Sequence, residues 1–165
     1  MAREIVYWDA NCFLGLLNNE QDKIKSCAGA MKKAEDGKLV IVTSALTFIE
    51  VIRMKGRPKL KKSVEQTIQD FFSNSFIYIH NVDREVGIKA RNLMWKHKSL
   101  QPKDSIHVAT ALLRNTPKLH TFDKDLLKLK DANITNKLKI CKPDIEYQMG
   151  FDDLNGQEKE QTDKP

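Results

Sequence analysis

The chain has 165 residues, 41% of them hydrophobic, which is enough for one compact domain with a core and leaves little room for a second. Lys and Arg number 28 against 22 Asp and Glu, and the resulting net charge of +6 favours polyanionic partners. Three cysteines far apart, Cys12, Cys27 and Cys141, argue against a disulfide framework and a zinc site, and no apolar run reaches the ~18 residues of a membrane span, so a soluble, cytoplasmic protein with no membrane partner is expected.

The first strand is expected over residues 4–8, "EIVYW", and the apolar segment that follows Asp9 turns to a helical period. A helix is expected over 20–36, a second strand over 39–43, and a helix over 44–56 with Ser44 as its N-cap. "MKGRPK", residues 54–59, separates that helix from another over 59–73. A strand over 75–80, a helix over 83–98 capped by Asp83, a helix over 103–115 opened by Pro102, and strands over 118–122 and 138–141 complete the pattern. Strand–helix alternation with connections of this length predicts an α/β fold, a mostly parallel sheet with helices on both faces. Residues 1–150 are expected to form the single domain. The remainder, 151–165, is a polar acidic tail with five acids against two lysines after residue 151, and is expected to be disordered.

Four acids occupy places where a charge has to be explained. In an open α/β sheet, ligands gather outside the carboxyl ends of the strands. Asp9 and Asp123 each follow a strand and so point to one rim. Glu50, in "TSALTFIEVIRM", is the only charge between Lys38 and Arg53, so it needs a cation if it is buried, with Arg53 or a lysine the nearest choice. Asp104, in "LQPKDSIHVATALL", opens an amphipathic helix, where a helix-dipole role would suffice for it alone. Taken together, three or four carboxylates without a matching set of His or Cys form the ligand set of a hard cation such as Mg2+ or Mn2+. Such ions suit phosphodiester hydrolysis, one activating a water and a second, ~4 Å away, steadying the leaving oxygen.

The motifs "VYWDANCFLGLL", "VTSALTFIEVIR", "QPKDSIHVATAL" and "LHTFDKDLLKL", in this order over residues 5–129, resemble those of the PIN-domain ribonucleases, especially the VapC-like toxins of toxin–antitoxin pairs. The resemblance implies a three-layer α/β/α sandwich and a metal site made by Asp9, Glu50, Asp104 and Asp123, with Asn11, Ser44 and Thr121 supporting it. It further implies Mg2+ or Mn2+ as cofactor, RNA as substrate, a homodimer, and a small antitoxin as partner. Family members commonly carry Thr or Ser beside the first Asp, where this chain has Ala10 and then Asn11.

Arg53, Lys55, Arg57, Lys59, Lys61 and Lys62 follow Glu50 closely and are candidates for phosphate contacts along RNA, although charge runs are more often plain solvated surface. His80, His97 and His120 read as ordinary strand-end or surface residues, and His107 is at most a substrate contact. Trp8 and Trp95 read as packing residues, and Asp125 as a solvated helix start. Competing readings are a phosphatase with a nucleophilic Asp, disfavoured because Asn11 replaces the usual second acid; a DNA-directed nuclease; and an RNA-binding or assembly module without catalysis.

Overall fold

The computed structural model describes residues 2–53, 56, 58–129, 134 and 137–144. Among them five strands, β1 (Glu4–Trp8), β2 (Leu39–Ser44), β3 (Ile77–His80), β4 (Lys118–His120) and β5 (Lys139–Cys141), form one sheet in the order β3-β2-β1-β4-β5. Every pairing is parallel. The helices are α1 (Ala10–Leu17), α2 (Ile24–Glu35), α3 (Leu46–Glu50), α4 (Glu65–Phe72), α5 (Arg84–Lys96), α6 (Pro102–Leu113) and α7 (Lys124–Lys128), with a 3-10 turn over Lys62–Val64. Three layers, α/β/α, result. No helix among the described residues is long and apolar enough to cross a membrane.

The strands are apolar on both faces because both are covered. Alternation along β1 sends Val6 and Trp8 into one core, with Leu39, Ile41, α1, α2 and Phe72 of α4, and sends Tyr7 into the other, with Val42, Leu119, Ile140, α5, α6 and Leu126 of α7. β1 is the centre of the sheet. The chain leaves it through α1 and α2 toward β2 and β3 and returns on its other side as β4, so the order reverses between β1 and β4. A crevice forms at such a switch point, outside the carboxyl ends of the strands. Asp9 and Asp123 lie just past the ends of these two strands.

Local signals set most boundaries. Asp83 caps α5, its carboxylate accepting from Val86 N–H at 2.9 Å, and Pro102 takes the first position of α6. Gly37, at φ 72°, closes α2 in the left-handed region and leads into β2.

Four expectations are corrected. The helix expected over 44–56 is only Leu46–Glu50: Ser44 is the last residue of β2 and Ala45 takes the cap position, with the Ser44 hydroxyl accepting from Leu46 N–H at 3.2 Å. Apolar residues of helical spacing overstated its length, since Phe48, Ile49 and Ile52 are 50%, 72% and 44% exposed and have no core to hold further turns. The helix expected over 59–73 is divided into the 3-10 turn and α4. α7, a single short turn of helix after Asp123, was not expected as an element, and the fourth strand stops at His120 rather than at residue 122. The tail after residue 150, with Lys55 and Arg57, lies outside the described residues.

Candidate active site

Asp9 is the N-cap of α1. Extended backbone carries the chain out of β1, and the side chain turns back to accept from Asn11 N–H at 3.0 Å and Cys12 N–H at 3.3 Å through Oδ1. Its Oδ2 accepts from the Asn11 amide at 3.3 Å and from the Thr121 hydroxyl. The carboxyl group is 2% exposed, and burial pushes its pKa up against the opposing pull of His107, Thr121, Asn11 and Cys12 N–H.

Thr121 joins two strand ends. While donating to Asp9, its Oγ1 accepts from Asp123 N–H at 2.9 Å. Asp123 in turn caps α7, accepting from Asp125 N–H at 2.7 Å and Leu126 N–H at 3.2 Å. The loop after β4 is thereby tied to the loop after β1.

Glu50 is the last residue of α3. Its Oε2 lies 2.7 Å from His107 Nε2 and its Oε1 3.6 Å from Lys103 Nζ. Burial pushes this carboxyl up, but the interactions with His107, its hydrogen bond first, and then with Lys103 outweigh it and hold Glu50 below the usual range. The cations expected for Glu50 were Arg53 or a lysine. A histidine 57 residues away and Lys103 take that role, and Arg53 is not its partner among the described residues. Around Glu50, the apolar Phe48, Ile49 and Ile52 are between 44% and 72% exposed, so much of its apolar neighbourhood in the sequence is surface.

Asp104 occupies the first turn of α6. Burial, followed by the charge of Asp123 and lesser contributions from Asp9 and Glu50, raises its pKa to about 6, with His107 opposing. That repulsion means the four carboxylates share one electrostatic environment. All four line a single cleft of about 950 Å3, with Asn11, Asp125, His107, Arg53, Lys59 and Lys103 also on its walls. Ser44 is fully buried and outside the lining, acting on the start of α3. Lys61 and Lys62 line a smaller neighbouring groove with Phe48, Ile52 and Leu60.

An acid-lined, oxygen-only donor set fits a hard divalent cation. Among the described residues no three acidic, histidine or cysteine side chains already enclose a common metal position. Each of three of these acids is held by hydrogen bonds of its own: Glu50 by His107, Asp9 by Thr121 and Asn11, and Asp123 by the first turn of α7.

Sequence reasoning undervalued several residues. His107 was at most a substrate contact, yet it is 2% exposed, with Nδ1 2.7 Å from the Tyr7 hydroxyl and Nε2 on Glu50. The signal available was its place three residues after Asp104, on the same face of one helix. Thr43 was not singled out, although its hydroxyl donates to Trp8 C=O at 2.8 Å and lies 2.8 Å from the Thr47 hydroxyl, anchoring the start of α3 to the end of β1. His120 is not an ordinary surface residue: it is fully buried, its Nδ1 accepts from Trp8 Nε1–H at 3.2 Å, and burial lowers its pKa to about 4. Trp95 is 71% exposed, with Arg91 5.0 Å over its ring, and packs into no core.

A family model described as the PIN domain matches residues 6–132. Among solved structures, a toxin–antitoxin complex from Klebsiella pneumoniae is similar at 21% sequence identity and a TM-score of 0.51, over 81% of this chain and 94% of that one. At that identity the likeness speaks for the fold alone. No curated protein matches the chain.

Proposed function

Because the chain belongs to the PIN domain family, whose members are generally nucleases, we propose that it is an endoribonuclease dependent on Mg2+ or Mn2+. The observation that carries this reading is the meeting of Asp9, Glu50, Asp104 and Asp123, from four distant segments, on one cleft at the switch point of the sheet. In this proposal those four hold the cation. Bound there, a divalent ion supplies Lewis acidity that activates water and offsets charge on the phosphate.

The chain's own residues divide the remaining work. Asn11 and Thr121 hold Asp9 in its rotamer through hydrogen bonds, and Ser44 and Thr43 set the start of the helix that ends in Glu50. Arg53 and Lys59, on the cleft wall, are suited to backbone phosphates of the strand being cut, and Lys61 and Lys62 extend that basic track into the adjoining groove. Lys55 and Arg57, in the same stretch of sequence, belong to the same proposal. A toxin role with a small antitoxin partner, a homodimeric state and a cytoplasmic location complete the reading, with the fold likeness to a toxin–antitoxin complex as its support.

Side-by-side digestion of single-stranded RNA and DNA of one sequence, with and without EDTA, tests the proposal. Cleavage of RNA that requires Mg2+ or Mn2+ is expected. Preferential cleavage of DNA would replace it with the DNA-directed reading, and RNA binding that is unaffected by EDTA and never leads to cleavage would replace it with the binding module.

A further inference from the structure

We infer that Tyr7 and His107 form a positioning relay that reaches from the opposite face of β1 and fixes Glu50 toward the cation of the proposed site. The inference rests on the nuclease reading above and adds two residues to it.

Tyr7 is fully buried and turned into the core beneath α5 and α6, away from the core that takes Trp8. Its hydroxyl lies 2.7 Å from His107 Nδ1, and the two rings meet edge to face with centroids 5.8 Å apart. A phenol carries its proton at neutral pH, so Tyr7 has one O–H to give. With the imidazole neutral, the phenol O–H donates to Nδ1 and Nε2–H donates to Glu50 Oε2, 2.7 Å away. In this relay the donors run in one order, from Tyr7 through His107 to Glu50.

Glu50 needs such a hold. α3 has five residues, no side-chain cap, and Glu50 as its last member, so the helix alone does not fix where that carboxylate points. α6 is longer, packs against α5 and the sheet, and carries both Asp104 and His107 on one face. One rigid helix therefore supplies one acid of the cleft directly and orients a second. With Oε2 taken by His107, Oε1 is left for another partner, and Lys103 Nζ lies 3.6 Å from it. Outer hydrogen bonds of this kind orient ligating carboxylates and are typically worth 10–100-fold in metal affinity.

The test uses the full chain, Mn2+ calorimetry and the imidazole 15N spectrum of the metal-free protein. The wild type is expected to show His107 as the Nε2–H tautomer, and Tyr7→Phe, which changes no shape, to lose that preference and to bind Mn2+ several-fold more weakly. His107→Leu should weaken Mn2+ roughly 10–100-fold, with most of the loss recovered in His107→Gln, which keeps a donor toward Glu50. An Nδ1–H tautomer in the wild type, or Mn2+ affinity unchanged in folded Tyr7→Phe and His107→Leu, overturns the relay alone. Wild-type protein that binds no Mn2+ overturns the nuclease reading itself.

Discussion

A carboxylate buried as deeply as Asp9 stays charged only at a cost, and four hydrogen bonds from Asn11, Cys12 and Thr121 offset part of it. Replacing it with Asn removes the charge and keeps a side-chain oxygen for the helix cap, which Asn fills as well as Asp. Asp9→Asn is therefore expected to melt no lower than the wild type without metal, to lose the rise in melting temperature that Mn2+ gives the wild type, and to cut RNA at least ~100-fold more slowly. A thermal-shift series with a cleavage assay reads all three. His120 gives the pH dependence. Its folded pKa of about 4 lies below the usual 6.5, so the unfolded chain binds more protons between those values and stability falls as pH drops from about 6.5 toward 4. The loss is on the order of 3 kcal/mol in full. Asp104, raised to about 6, gains stability over the same range, so the His120 contribution is read as a difference: in urea titrations from pH 6.5 to 4, His120→Asn should lose less, or gain more, stability than the wild type. Asp9, Asp123 and Asp104 were readable from the sequence because each stands where a strand ends or a helix opens, and Glu50 because it is the only charge between Lys38 and Arg53. Of the partners of Glu50, a lysine was expected and Lys103 takes that place, but His107 was not, because locality offers Arg53 whereas the fold delivers the imidazole from another helix.

At the scale of elements, caps separate stability from activity. Asp83 holds the first turn of α5 from a place outside the cleft lining, so Asp83→Ala should cost about 1 kcal/mol in chemical denaturation and leave cleavage per folded molecule unchanged. A fall in activity beyond the loss of folded protein would tie α5 to the site in a way the present geometry does not. The strands were legible to within a residue or two because both faces of the sheet are covered, which makes them short continuous apolar runs. α3 was overestimated for the opposite reason. Apolar residues at helical spacing do not extend a helix when, like Ile49 and Ile52, they face solvent. The five residues of α7 are too few for a period to be seen at all, and only the cap at Asp123 announces them.

At the scale of the whole molecule, the parallel order β3-β2-β1-β4-β5 brings residues more than a hundred positions apart to one crevice, and it sets an acidic floor within a basic body. Arg53 and Lys59 on the cleft wall should each contribute ~0.7 to the salt slope of binding to single-stranded RNA. The double variant Arg53→Gln, Lys59→Gln is expected to flatten that slope by about 1.4, and Lys61→Gln with Lys62→Gln to flatten it further if the strand continues into the second groove. An unchanged slope removes either pair from the path of the RNA. The central claim is the convergence of Asp9, Glu50, Asp104 and Asp123 on one divalent ion, and anomalous diffraction from crystals grown with Mn2+ tests it most directly. The account predicts a manganese peak in the cleft between these four side chains; no peak there at saturating Mn2+, or one held elsewhere by other residues, would contradict it.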